Sequence, residues 1–206
     1  MGAASCVSLD ELKKMGEVVA QDVTQAMVHL HLWEDLRKCI PEFEQEMNQH
    51  TDFWSSTIDA HLYAGMLFLS RAFDQEPKSA SLHSLLGGLK SSPDVAAAQN
   101  AERLAEIDKD LRLVKNSENL VNLLVRYRGS RLAHRGLKVS LTAKPAPDGI
   151  TNLTLGDVHK LIKRGKCILN RCTAFLGMDH YSCQMIGDDE HRQLLKAVRR
   201  GLGNVQ

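Results

Sequence analysis

Residues 52–74 read DFWSSTIDAHLYAGMLFLSRAFD, and this stretch decides the fold class. Trp54, Ile58, Leu62, Met66, Leu69 and Phe73 recur at steps of three and four, the spacing of one face of an α-helix. No strict alternation of apolar and polar residues interrupts them, so the stretch predicts one long amphipathic helix ended by Asp74 to Lys78, with Pro77 as the breaker. A helix with one apolar face needs partners to cover that face. The flanking sequence supplies them.

On the N-terminal side, Ser8 and Glu11 have the spacing of a capping box. A helix is expected from there to about Cys39, with Val19, Val23, Met27, Leu30 and Trp33 in a stripe. Pro41 punctuates it and can open a short helix at its first turn. On the C-terminal side, residues 81–89 predict a short helix stopped by Gly87 and Gly88. Ser92, Pro93 and Asp94 signal a restart, and the next helix runs to about Leu113. A helix over about 117–136 follows, with Leu120, Leu124 and Leu132 inward. Residues 138–153 hold Pro145, Pro147 and Gly149 and predict a loop, with a short extended piece at 139–141. Thr154 and Asp157 form a second capping-box pattern, opening a helix that Gly177 ends. A last helix is expected over about 188–201. The fold class expected is all-α, an up-and-down helical bundle with additional helices, forming one domain over 1–206 with C-terminal helices in 154–202.

The 206 residues carry 43% hydrophobic and 25% charged side chains, the balance of a globular chain with a real core. No run approaches the length of apolar sequence that spans a bilayer, and residues 1–8 lack the pattern of a signal segment. The sequence therefore reads as cytoplasmic, with no membrane partner. Its five cysteines have no zinc-knuckle spacing and read as reduced thiols; Cys167, Cys172 and His180 could hold a metal only on paper.

The net charge of +1 conceals an asymmetry. Residues 1–125 have 11 Lys and Arg against 19 Asp and Glu, a net −8, whereas residues 126–206 have 15 against 6, a net +9. Segment 126–144 concentrates it: Arg126, Arg128, Arg131, Arg135, Lys138, Lys144 and His134, with no acid. Such a run repels itself unless an anion sits nearby, either a phosphate chain or acids from the −8 half. Arginine suits phosphate because its planar fork binds two oxygens and stays charged. Neighbouring cations favour a neutral imidazole at His134, the form that accepts a proton as general base. Arg128 and His134 are six apart, which places them about 120° from each other on an ideal helix. Convergence would need a distortion, which Gly129 permits, or a partner across a two-fold axis.

Arg128, the run Gly129-Ser130-Arg131-Leu132-Ala133, and His134 resemble the Arg–His signature of the HEPN superfamily. Asp52-Phe53-Trp54, the run Leu69-Ser70-Arg71-Ala72-Phe73-Asp74, and Ser81-Leu82-His83-Ser84-Leu85-Leu86 resemble its abortive-infection, AbiU-like branch. The match covers roughly residues 10–180. The resemblance implies a helical bundle that dimerises, with Arg and His of both copies lining one cleft. Many such proteins are metal-independent ribonucleases acting as toxins or antiviral effectors; others only bind nucleotides or partners. It also assigns roles: Arg128 and His134 catalytic, with Arg126, Arg131, Arg135 and Lys138 on RNA phosphates, and no metal or cofactor. A cognate antitoxin or regulator is a further expected partner. Two departures stand out. Gly129 occupies a place where active members often carry a polar Asn, Asp or His, and Gly136 stands where toxins modified by a nucleotidyltransferase carry Tyr.

Two other functions compete. One is a catalytically degenerate module that binds RNA, nucleotide or a partner protein. The other is a structural protein whose arginines pair with acids such as Glu102, Glu106 or Asp110. Elsewhere the residues have simpler readings. His29 and His31 are expected to pack or face solvent, and Trp33 and Trp54 to anchor the core. Capping or solvation accounts for Asp52, Asp59 and Asp74. Lys160, Lys163, Arg164 and Lys166 read as a solvated face or a phosphate-guiding wall.

Overall fold

The computed structural model describes residues 7–92, 101–115, 118–129, 153–181 and 189–203. They form eight helices and no strand: α1 (Leu9–Cys39), α2 (Glu44–Asn48), α3 (Thr51–Ala72), α4 (Leu82–Ser91), α5 (Ala101–Val114), α6 (Asn119–Tyr127), α7 (Leu155–Phe175) and α8 (Glu190–Gly203). The chain is an all-α bundle, as its periodicity requires.

Both capping boxes form. The Ser8 amide donates to Glu11 at 2.8 Å, and the Glu11 amide donates back to the Ser8 hydroxyl at 3.3 Å. Thr154 and Asp157 repeat this reciprocity at the start of α7. At its other end Gly177 takes the left-handed conformation at φ 65, and the Met178 amide donates to the Thr173 carbonyl at 2.9 Å. That closure satisfies carbonyls that an α-helix leaves open, and glycine adopts it without a Cβ clash.

The centre of the bundle is the antiparallel pair α1 and α3. Its direction follows from the contacts: Leu30 lies against Gly65, and Asp22 lies 3.4 Å from Arg71. A Cβ at Gly65 would sit 2.6 Å from Leu30 Cγ, so only glycine lets the helices approach this closely. Helix α7 packs along α1 on another side, and α4 and α5 complete the layer. Leu12, Leu30, Leu69, Phe73, Leu85, Leu124, Leu161 and Leu169 are buried in this main core. Truncating one such leucine to alanine costs about 3 kcal/mol. A second cluster lies around the far end of α1: Leu36, Cys39, Phe43, Met47 and Trp54, closed by Leu195 of α8.

The structure moves several boundaries. Helix α4 runs through Gly87 and Gly88 instead of stopping there, because Gly88 is buried against Leu12 and its missing side chain is needed for packing. Pro41 does not open α2; Phe43 caps that helix, and Pro41 stays in the turn before it. Residues 52–74 give a helix one residue earlier at its start and two shorter at its end. The helix expected over 117–136 is described from Asn119 to Tyr127. The expected loop at 138–153 lies outside the described residues except Leu153, and so do the restart at Pro93 and Asp94, the extended piece at 139–141, and Leu132.

Candidate nucleic-acid site at the arginine end of α6

Helix α6 is pinned from both sides. Glu118 caps it, accepting from the Val121 amide at 3.2 Å. The same carboxylate oxygen accepts from Arg164 of α7 at 2.7 Å, and Arg164 also donates to the Leu113 carbonyl at 3.1 Å. From the end of α3, Gln75 donates to the Val114 carbonyl at 2.7 Å. The joint between α5 and α6 is therefore tied to α3 and to α7. Val121 and Leu124 bury the inner face of α6.

At Arg128 and Gly129 the helix widens into a π-type turn. Such turns re-aim side chains and are common at functional sites. A Cβ at Gly129 would meet nothing within 4 Å among the described residues. A distortion is one of the two ways for the six-residue spacing to converge, and the π-type turn stands at the motif arginine itself.

Arg128 Nη1 lies 3.3 Å from Asp74 Oδ2, where the chain leaves α3. The arginine side chain is 40% exposed and the aspartate 22%. Asp74 is held on its other sides: Ser79 Oγ donates to Oδ2 at 3.2 Å, and the Glu76 amide donates to Oδ1 at 3.2 Å. Burial opposes ionisation of Asp74, but the Glu76 amide, Arg128 and Ser79 outweigh it and hold the carboxyl below its ordinary value. A fixed carboxylate thus positions one nitrogen of a half-exposed guanidinium. Of the five N–H donors that arginine carries, the Asp74 bond uses one.

Residues 10–194 match the family profile HEPN_AbiU2, described as AbiU2. The chain belongs to the AbiU2 family. This is an abortive-infection branch of the HEPN superfamily, and the match covers every described helix except Leu9 of α1 and the end of α8. No curated protein and no solved structure matches the chain.

Within this AbiU2-family bundle, Arg126 is exposed on α6, and two residues of helix separate it from Arg128 by about 160° around the axis. The two arginines therefore do not line one wall. His134, Arg131, Arg135 and Lys138 lie outside the described residues. The competing structural reading names Asp110, Glu102 and Glu106 as partners for the arginines. Asp110 takes Arg171 of α7 in two bonds at 2.6 and 2.8 Å. Glu102 and Glu106 are exposed on α5.

The basic cluster on α7 divides. Lys160 pairs with Asp157 at 3.2 Å, Arg164 is the fastener already described, and Lys163 faces solvent. Cys39 and Cys172 are buried and Cys167 is exposed, all as free thiols; burial pushes the Cys172 thiol up to about 12. Among the described residues no three His, Cys, Asp or Glu side chains are grouped to hold a metal, so the pairing of Cys167 and Cys172 with His180 does not form. No helix among them is long and apolar enough to cross a membrane.

Sequence reasoning read Asp74 as a capping or solvated acid and gave it no role at Arg128. Its signals were an acid directly after Phe73 at the end of α3 and a serine five residues on. Nothing local pointed to a partner 54 residues away.

Proposed function

We propose that this AbiU2-family chain acts on RNA as a metal-independent endoribonuclease, a toxin-like effector of phage defence that works as a homodimer. The observation that carries the reading is Arg128: held by Asp74, it keeps 40% of its side chain in solvent at the start of a widened helical turn. A guanidinium positioned at one nitrogen and partly exposed suits a phosphate oxygen.

In this mechanism His134 takes the proton from a ribose 2′-hydroxyl. That oxygen attacks the adjacent phosphorus, and the 5′-oxygen of the next nucleotide leaves with a proton returned by a histidinium. Arg128 steadies the charge that builds on the phosphate oxygens. The products are a 2′,3′-cyclic phosphate and a 5′-hydroxyl end. Arg131, Arg135 and Lys138 bind flanking phosphates, and Arg126 meets the strand on the other side of α6. A second copy supplies the other half of the cleft, and a cognate antitoxin would act by covering it.

The test is incubation of the purified protein with mixed RNA in EDTA, beside Arg128→Ala and His134→Ala. Cleavage lost by at least about a hundredfold in both variants supports the enzyme. RNA binding without cleavage, weakened by salt, supports a binding module instead. That second reading is favoured by Gly129: it leaves no polar side chain next to Arg128, although the space would admit one. A protein that neither cleaves nor binds RNA overturns both readings.

A further inference from the structure

Where α1 and α3 come closest, they bring two imidazoles into contact. His29 on α1 and His61 on α3 have their Nδ1 atoms 2.9 Å apart, and both rings are part-buried. The contact is a product of the helix pairing. His61 lies one turn before Gly65, the residue whose missing side chain admits Leu30, the neighbour of His29. Phe68 stacks on the His29 ring at 5.7 Å and 9°, which fixes its plane.

We propose that His29 and His61 chelate one divalent transition-metal ion of the nickel and copper class. Imidazole nitrogens bind such ions at about 2.0–2.1 Å. Two donors at that distance and 2.9 Å from each other subtend about 90° at the ion. A tetrahedral ion would hold them about 3.3 Å apart. The right angle is that of square-planar and octahedral ions, so the spacing suits Ni²⁺ or Cu²⁺.

The protonation states agree. Burial disfavours the charged form of the His29 ring, and burial and then His29 disfavour that of His61. Without the ion, one ring donates its Nδ1–H to the other. Binding needs both Nδ1 lone pairs, so that proton moves to Nε2 of the same ring: a change of tautomer, with no oxidation and no net proton loss. Each lone pair then turns by about 45° from the line joining the nitrogens, toward a common apex. No third protein donor is grouped with the pair among the described residues, so water fills the remaining positions. The site lies eleven residues along α3 from its end at Ala72, about 16 Å from the Arg128 end of the bundle. The proposal stands apart from the RNA reading, whose test is run in EDTA.

Calorimetric titration of the full chain with NiCl₂ tests it, beside His29→Gln and His61→Gln, with His31→Gln as control because His31 pairs with Asp35 at 2.8 Å instead. The expected result is one saturable Ni²⁺ per chain, weakened at least about tenfold in each of the first two variants and unchanged in the control. No saturable binding, or equal affinity in all four proteins, overturns the site. If either variant fails to fold, electron paramagnetic resonance of Cu²⁺ on the wild-type chain decides. Coupling to two imidazole nitrogens supports the pair; any other number overturns it.

Discussion

Two arginine–aspartate pairs hold the same bundle in different ways. Arg171 of α7 grips Asp110 of α5 with two short bonds, and Asp110 is only 2% exposed. Arg128 touches Asp74 with one longer bond, at a place open to water. The first geometry spends both oxygens of a buried acid on a single partner, although Arg171, at 40% of its side chain, is as exposed as Arg128. The second spends one guanidinium nitrogen on an acid that is itself partly exposed. A bidentate pair over a buried acid is a fastener. A single bond on a half-exposed arginine is a positioning contact that a phosphate can add to. The Arg164–Glu118 pair belongs with the fasteners, since it joins α7 to the cap of α6 and is largely shielded on both sides.

The contrast can be broken by cutting each pair in turn. Arg171→Ala leaves Asp110 buried without its partner, and should lower unfolding stability by about 3 kcal/mol in urea melts. Arg128→Ala should cost less than about 1 kcal/mol in the same melts. Equal losses would show that Arg128 is as structural as Arg171. Asp74→Asn keeps the shape but removes the charge that holds Arg128. It should weaken RNA cleavage or binding about tenfold with little change in melting. A large stability loss instead would mark Asp74 as a fastener.

Acid gives a subtler separation. The Asp74 carboxyl sits below its ordinary 3.8, so the folded state binds that proton less readily than the unfolded chain does. Its contribution is complete above the unfolded value and is lost as pH falls through the lower folded value. A carboxyl-carbon NMR titration should therefore find Asp74 still ionised at about pH 4. A midpoint at or above 3.8 would remove the positioning role. The smallest expected change is at the neighbouring residue. Gly129→Asn enters empty space, should shift stability by under about 0.5 kcal/mol, and should raise RNA cleavage if a polar neighbour assists Arg128.

Much of the bundle was legible because helices announce themselves locally. The steps of three and four in residues 52–74 located α3 within two residues, and Ser8 with Glu11 located the start of α1. The misplaced boundaries share a cause. Gly87 and Gly88 read as a stop only if glycine acts through its backbone, whereas Gly88 acts through the room it leaves for Leu12. The motif arginine was legible as chemistry, and a distortion beside it was one of the two alternatives that the spacing to His134 left open. The carboxylate that holds it was not, because Asp74 looked like any acid at a helix end.

The sequence alone determined the all-α class, the capped starts of α1 and α7, the stop at Gly177, and the family to which the motif helix belongs. These depend on residues within a turn or two of each other, where spacing and side-chain type set the outcome. Only the tertiary structure decided which acid meets Arg128, that Asp110 belongs to Arg171, and that His29 meets His61. Those pairings depend on how closely helices approach and in which direction they run. Leu30 against Gly65 and Leu12 against Gly88 set that, and no local pattern encodes it.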